Sequence, residues 1–215
     1  QNFNKGGDGP RLYWQVKHNM IPKINAASPN SAHLFFAKLH EMGKLHKIIT
    51  QNIDSLHLLS GVPIEKIIEI HGHCRSLICS DVKCVLNPVP FKEGNCDFKL
   101  TWEECKEKNF FADVEVPSCP KCSSPLTQET VKFGQPLPEG AFSSSSQAIS
   151  EADLVVVVGT SLVVAPANSL PGVGLQVGAK LVIVNKGVAT RYDEYAVGVI
   201  DEPAGEFFKN VGECL

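Results

Sequence analysis

The sequence predicts an α/β fold, an open and largely parallel sheet interrupted by a cysteine-rich insert. Three observations carry that prediction. Short β-branched and aliphatic runs (Lys47 to Thr50, Ile67 to Ile70, Leu154 to Val158, Leu181 to Val184, Val197 to Ile200) read as strands, and several end in polar, chemically capable side chains. An amphipathic helical pattern precedes the first of them. From Gly72 to about Pro125 the apolar runs give way to cysteines, Pro88, Pro90, Gly94 and scattered charge, which marks an inserted module.

Composition sets the outer bounds. A chain of 215 residues with 43% hydrophobic content suits one ordinary domain, or one domain with a small insertion, in a soluble globular protein. A net charge of −3 gives no broad basic surface, so no direct nucleic-acid partner and no membrane partner is expected. No apolar run approaches the ~20 residues needed to span a bilayer, and no signal peptide is visible. The expected location is intracellular, nuclear or cytoplasmic. The sequence begins at Gln1, so an N-terminal portion is expected upstream.

Along the chain, residues 1–27 are rich in glycine at first (Gly6, Gly7, Gly9) and then carry Leu12, Tyr13, Trp14, Val16, Met20 and Ile21 without a clean period. They read as loop plus one short helix. Ser28-Pro29 supplies an N-cap and a first-turn proline for a helix whose Ala32, Phe35, Phe36 and Leu39 recur at helical spacing until Gly43. His33 and His40 lie two turns apart on it without a third ligand, so packing or surface roles are preferred to metal binding. The strand Lys47 to Thr50 then ends in Gln51-Asn52, a helix-like Leu56 to Ser60 is closed by Gly61, and Ile67 to Ile70 ends in His71-Gly72.

Inside the insert, Thr101-Trp102-Glu103-Glu104 has capping-box spacing and predicts a helix to about Phe110; the remainder reads as loop and zinc-ribbon-like hairpin. Thr130 to Gly134 is strand-like, and Ser143 to Ser146 fits either exposed helix or loop. Leu154 to Val158 looks the most fully buried strand and leads into Gly159-Thr160-Ser161. Leu181 to Val184 ends in Asn185-Lys186, and Val197 to Ile200 precedes a terminal helix through Phe207 and Phe208. There is no internal repeat.

Three constellations bear chemistry. Small residues after a buried strand let a phosphate approach backbone N–H groups, and a polar residue ending the next strand can bond ribose hydroxyls. Residues 155–185 have that layout but lack Gly-x-Gly-x-x-Gly and place Asn185 where an acid is usual, so a plain buried sheet remains the competing reading. Cys119 and Cys122 have metal-ligand spacing, and five of the other cysteines lie within residues 74–105. Four thiolates around zinc leave no open position for water, so such a site is structural; Cys79 and Cys84 are the chosen second pair, with Cys74 a rival to Cys79, and Cys96 and Cys105 set aside as spare. His71 can serve as a base near neutrality or merely cap a strand end, with Asn52 and Asp54 nearby in sequence.

The set of motifs resembles the sirtuins, NAD-dependent protein lysine deacylases. The resemblance rests on Thr50-Gln51-Asn52-Ile53-Asp54 with Leu56-His57, His71-Gly72, Cys79/Cys84 and Cys119/Cys122, Phe133 to Pro138, Gly159-Thr160-Ser161-Leu162 with Val164 and Pro166, and Val184-Asn185. These cover most of the chain in the family's order. The resemblance implies a Rossmann-like parallel sheet formed by residues 1–71 and 131–215, with a zinc-ribbon small domain at 72–130, and a cleft between them that NAD and acylated lysine enter from opposite sides. It settles the Cys74 rivalry for Cys79, because the family's first ligand falls eight residues after the histidine.

Carried over residue by residue, the resemblance implies that His71 is the general base on a nicotinamide-ribose hydroxyl and that Asn52 and Gln51 hold that ribose and a water. Asp54 would meet the nicotinamide carboxamide, with Ile53 in the same cofactor segment. Gly159, Thr160 and Ser161 would line the phosphate and ribose region, with Asn185 on the adenosine ribose and Lys186 beside it. Phe133 and His71 would wall the acyl-lysine tunnel, with the Val131 carbonyl accepting the substrate N–H. Gly134, Gln135 and the Val164-Ala165-Pro166 segment would pair with the peptide backbone. NAD is the implied co-substrate, zinc the structural metal, and an acyl-lysine peptide or protein, histones among the possible ones, the partner. The products are free lysine, nicotinamide and O-acyl-ADP-ribose.

The chain departs from the family in several places. Its Gly-Ala-Gly loop and Ile-Pro-Asp-Phe-Arg stretch are not in residues 1–215 and are expected upstream. Lys132 replaces an apolar or aromatic residue, and Gln135 a common Glu. The stretch between Cys84 and Cys119 is long. Mono-ADP-ribosyl transfer, or a non-catalytic NAD or ADP-ribose module using the zinc ribbon as a partner surface, are the rival functions.

Overall fold

The computed structural model describes residues 8–80, 96–107 and 116–214. In chain order its elements are α1 (Gly9–Ala26), α2 (Ser31–Glu41), β1 (Ile48–Thr50), α3 (Leu56–Leu59), β2 (Ile67–Glu69), β3 (Gly72–Cys79), β4 (Lys99–Thr101) and α4 (Trp102–Glu107). They continue with β5 (Leu126–Thr130), α5 (Ala141–Ser150), β6 (Leu154–Val158), α6 (Leu170–Gln176), β7 (Lys180–Val184), β8 (Gly198–Ile200) and α7 (Ala204–Gly212). Two compact units result: Gln1–Ala27, Gln51–Ser55 and His71–Glu139 form the first, and Ser28–Thr50, Leu56–Ile70 and Gly140–Leu215 the second. None of the described helices is long and apolar enough to cross a membrane.

The second unit is the parallel α/β part. β1 pairs with β2 in parallel, Ile48 opposite Ile67, and β6, β7 and β8 form a parallel sheet in that order. Residues that alternate across these strands meet helices: Val184 packs with Ala32 of α2 and Phe208 of α7, and the Phe35 and Phe36 rings lie 4.8 and 5.1 Å from that of Phe208. Gly174 lets α6 close on β6, since a Cβ there would stand 2.8 Å from Val155 Cγ2. The expectation that β6 is fully buried is corrected: Leu154 is 51% exposed, and β6 ends the described strand order with β7 as its one partner there.

One helix start also differs from the sequence reading. α2 is capped by Asn30, not Ser28: its Oδ1 accepts from the Ala32 and His33 backbone N–H groups at 3.0 and 3.3 Å, while the Asn30 N–H donates to His33 Nδ1 at 3.2 Å. That reciprocal pair satisfies two donors at once, which a cap two residues earlier could not do. It also accounts for His33, whose ring lies 4.7 Å from that of His57.

In the first unit α1 runs 18 residues, where the sequence suggested a loop and a short helix. Trp14, Lys17 and Ile21 recur at helical spacing on one buried face. A lysine in the middle of that face and Pro22 within the helix hide the period. Buried Trp14 donates from Nε1 to the Leu126 carbonyl at 2.9 Å, and Tyr13 Oη accepts from the Gln128 N–H at 3.2 Å, so α1 is pinned to β5 by two cross-chain bonds. Under it lies an antiparallel sheet in the order β4-β3-β5, whose Leu77, Leu100 and Leu126 join Trp14 and Cys105 in one core. The Thr101 capping box is present: Glu104 Oε2 accepts from the Thr101 N–H at 2.7 Å and Thr101 Oγ1 from the Glu104 N–H at 3.3 Å. The predicted extension of that helix to Phe110 lies outside the described residues. The strand expected from Thr130 to Gly134 instead ends at Thr130.

Candidate functional site

Nine of the predicted catalytic, cofactor and substrate residues fall in the first unit: Gln51, Asn52, Ile53, Asp54, His71, Val131, Phe133, Gly134 and Gln135. The Gln51–Ser55 loop is held from below by β3. The Cys74 N–H donates to the Ile53 carbonyl at 3.0 Å, and Arg75 Nη1 donates to Ser55 Oγ. Ser55 adopts a left-handed φ of 63°, which reverses the chain directly after Asp54.

His71 sits where this loop meets the segment that follows β5. Its Nδ1 is 3.3 Å from the Gln51 carbonyl oxygen. A carbonyl can only accept, so this contact places the ring proton on Nδ1 and leaves the Nε2 lone pair to take a proton. On the other side the His71 carbonyl accepts from the Val131 N–H at 2.9 Å. Gly72 makes this proximity possible: it has φ +73°, and a Cβ on it would stand 2.2 Å from the Glu129 carbonyl oxygen.

Beyond Val131 the chain closes a tight turn. The Lys132 N–H donates to Gln135 Oε1 at 3.0 Å and the Gln135 N–H donates to the Lys132 carbonyl at 2.9 Å, with Gly134 at φ +85°. The turn holds Phe133 out, 79% exposed, and commits the Gln135 N–H internally, so only other groups of this turn can meet a peptide backbone. The Lys132 ammonium lies 5.3 Å from the Tyr13 ring centroid. Burial, reinforced by the Lys17 charge, lowers its pKa from 10.5 to about 8.

The second unit carries the remaining predicted residues, Gly159, Thr160, Ser161, Val164, Asn185 and Lys186. All but Val164 line one cavity of about 240 Å³ at the carboxyl ends of β6 and β7, together with Val184, Val188 and Ala204. Its position is where open parallel sheets bind ligands. Gly159 has φ +61° with nothing within 4 Å of where a Cβ would be. Asn185, 5% exposed, grips the loop with both ends of its amide: Oδ1 accepts from the Thr160 N–H at 2.9 Å and Nδ2 donates to the Thr160 carbonyl at 2.7 Å. Hydroxyls of Thr160 and Ser161 and the Lys186 ammonium complete a lining able to meet ribose and phosphate oxygens. In the same unit the Val164 carbonyl accepts from the Asn168 N–H at 3.0 Å.

A candidate metal site forms at the far end of β3. The sulfurs of Cys79, Cys96, Cys119 and Cys122 all lie within 4.8 Å of one another, with Cys79 to Cys122 at 3.3 Å and Cys96 to Cys119 at 3.5 Å. A tetrahedral zinc with Zn–S bonds of ~2.3 Å needs sulfurs roughly 3.8 Å apart, so the cluster fits zinc. Hydrogen bonds from the Ser124 side chain and backbone bring the Cys122 thiol down to about 6, whereas burial raises Cys79. The cluster includes Cys96, which the sequence reading sets aside; Cys84 lies outside the described residues. The antiparallel register explains Cys96. Ile78 faces Lys99 and the Cys79 N–H donates to the Phe98 carbonyl at 3.0 Å, so the residues before β4 return to the end of β3. Cys74 stays apart, its thiol donating to Gln128 Oε1 at 3.4 Å.

Comparison with known proteins agrees with this architecture. The model of the Sir2 family matches residues 2–166. An NAD-dependent protein deacetylase of Thermodesulfovibrio yellowstonii is 35% identical over 203 residues, covering 94% of this chain and 72% of that protein. An NAD-dependent protein deacylase of Thermococcus kodakarensis is 34% identical over 209 residues, with 96% and 76% covered. Among solved structures, Sir2Tm bound to a propionylated peptide superposes with a TM-score of 0.81 at 35% identity, covering 95% of this chain and 78% of that one. A Sir2 complex with a p53 peptide and NAD+ gives the same score and identity, covering 95% and 77%.

Proposed function

The chain belongs to the Sir2 family, and from that membership we propose how its residues carry out the family's reaction. It is an NAD-dependent protein lysine deacylase that releases nicotinamide and O-acyl-ADP-ribose. NAD is its co-substrate, and the cysteine cluster holds structural zinc.

The roles rest on one observation above all: His71 bonds to the Gln51 loop through Nδ1 and to the substrate segment through its carbonyl. NAD supplies an electrophilic anomeric carbon once nicotinamide departs. His71 Nε2 accepts a proton from a hydroxyl of the nicotinamide ribose, while the Gln51 carbonyl keeps the ring in the tautomer that can do so. Asn52 and Gln51 orient that ribose, Ile53 borders it, and Asp54 takes the carboxamide. Gly159, Thr160, Ser161, Asn185 and Lys186 form the nucleotide cavity.

Acyl-lysine lies along Phe133, with its N–H on the Val131 carbonyl; Gly134, Gln135 and Val164 flank the peptide. The relatives solved with acetylated and propionylated peptides support a peptide or protein substrate. Such backbone-led docking tolerates varied sequences. Residues 72–130, the zinc-bearing stretch, act as the small domain, and 1–71 with 131–215 as the large one. Zinc does no chemistry, because four thiolates leave it no open coordination position.

Nicotinamide release from NAD tests the assignment. It is expected only when an acyl-lysine peptide is present, and His71→Ala abolishes steady-state formation of O-acyl-ADP-ribose, the step that follows nicotinamide departure, while the far-UV spectrum and melting transition are retained. Turnover that ignores the peptide, or survives in His71→Ala, refutes the role given to His71.

A further inference from the structure

The loop after β6 was expected to present backbone N–H groups to a phosphate, yet those groups are already in use. Gly159 N–H donates to the Val184 carbonyl at 3.0 Å, Thr160 N–H to Asn185 Oδ1 at 2.9 Å and Leu162 N–H to Thr160 Oγ1 at 3.2 Å. Of residues 159–162, Ser161 alone keeps its N–H outside these bonds. A loop in this state is a poor anion nest, because an anion would have to displace bonds already made.

Asn185 is the residue that engages the Thr160 peptide. It ends β7, its own N–H donates to the Ile200 carbonyl of β8 at 3.0 Å, and its side chain is turned back across the sheet end to take both polar groups of Thr160. Only one orientation of the amide satisfies both contacts, since the N–H needs an oxygen and the carbonyl needs an NH2. Leu162, held at φ 52° next along, shows that the loop is not in a conformation it would adopt unaided.

We propose that Asn185 is a positioning residue that locks the Thr160 peptide, so that the cavity engages the nucleotide through the Thr160 and Ser161 hydroxyls and the Lys186 ammonium rather than through the Gly159 and Thr160 N–H groups. This goes further than a ribose contact by Asn185, and it rests on the reading of the cavity as the NAD site. In that role the amide is consumed by the protein itself. Its loss therefore acts on every oxygen that the loop meets, not on one hydroxyl.

Two measurements on the full chain test it. Hydrogen exchange read at single residues shows the Thr160 amide protected in the unsubstituted protein. In Asn185→Ala its exchange speeds up at least about tenfold while Gly159, bonded to Val184, is unchanged. Asn185→Asp keeps an acceptor for the Thr160 N–H but sets a carboxylate against the Thr160 carbonyl, so it retains the protection and serves if the alanine variant does not fold.

The second measurement is calorimetric binding of NAD and of NAD analogues lacking the 2′- or 3′-hydroxyl of the adenosine ribose. Both substitutions weaken NAD binding by about ten- to a hundredfold, which appears in KM for NAD while kcat and KM for the peptide change less than about threefold. Losses from substitution and from each deoxy analogue add. Non-additive losses identify a direct ribose contact and overturn the proposal, as does unchanged Thr160 exchange in Asn185→Ala. Failure of the unsubstituted protein to bind NAD overturns the reading of the cavity instead, and Thr160 exchange then decides the role of Asn185 by itself.

Discussion

Gly72→Ala separates the part of this active site that is geometry from the part that is chemistry. Gly72 opens β3 opposite Thr130 with φ +73°, and an added Cβ would lie 2.2 Å from the Glu129 carbonyl oxygen, 3.1 Å from Glu129 C and 3.2 Å from Thr130 Cα. Every one of these atoms is backbone, so nothing can rotate away. Reaching ordinary contact requires β3 and β5 to part by about 1 Å, an overpacking strain worth ~1–3 kcal/mol. The left-handed conformation adds ~1–2 kcal/mol, and stretching the Val131 N–H to His71 carbonyl bond removes about 1 kcal/mol more.

The sum, roughly 3–6 kcal/mol, is a large part of the ~5–15 kcal/mol that holds a typical domain. A shift of that size at His71 costs about a hundredfold in turnover even in molecules that remain folded. Gly43→Ala is the matched control, because Gly43 has φ +67° but nothing within 4 Å of its Cβ position. It should lose only the conformational ~1–2 kcal/mol and keep full activity. Urea titration and nicotinamide release read both quantities. If Gly72→Ala is as stable as Gly43→Ala, or as active as the unsubstituted protein, the close approach of β3 to β5 does not position His71.

Metal analysis of Cys96→Ser should show zinc lost along with the fold of the β3–β4 end, whereas Cys84→Ser should keep full stoichiometry; the reverse pattern would return the ligand to Cys84. Lys132 gives a pH signature. Its folded pKa of about 8 lies below the usual 10.5, so across that window the unfolded chain binds the extra proton and stability rises with pH. Lys132→Met should flatten the rise in melting temperature between about pH 8 and 10, and an undiminished slope would show that another group causes it. Trp14→Phe leaves the Leu126 carbonyl without its 2.9 Å donor in a fully buried setting. It should cost ~2–4 kcal/mol in denaturant unfolding, and a loss under about 0.5 kcal/mol would mean that α1 is not pinned through that bond.

What the sequence disclosed and what it hid divide along one physical line. Features that depend on residues close in the chain could be read directly. Thr101 and Glu104 form the capping box their spacing suggests, and Leu154 to Val158 and Leu181 to Val184 are parallel strands followed by the residues that line the cavity at their carboxyl ends. Where two local signals compete, the wrong one can be chosen: Ser28-Pro29 looks like a helix start, but Asn30 makes the bonds. The full 18-residue length of α1 is hidden because Lys17 interrupts its apolar stripe, and that lysine is buried with its ammonium 5.3 Å from the Tyr13 ring centroid.

The larger omissions come from strand register, which no spacing rule encodes. Cys96 reads as spare in the sequence because it lies in the loop between the two chosen cysteine pairs. It joins the cluster because β4 lies antiparallel to β3 with Lys99 against Ile78, which carries the chain before Phe98 back to Cys79. Asn185 likewise meets Thr160 only because β6 and β7 are paired with Val158 against Val184. In both places a side chain fixes the register that brings it there. Sliding β4 along β3 by two residues would carry Cys96 about 7 Å from its partners, so zinc bound by this set of four sulfurs and the β3–β4 pairing must form together. The metal is then part of the folding free energy of this unit, and removing it should loosen β4 before it disturbs α1, whose Trp14 and Tyr13 bond to β5.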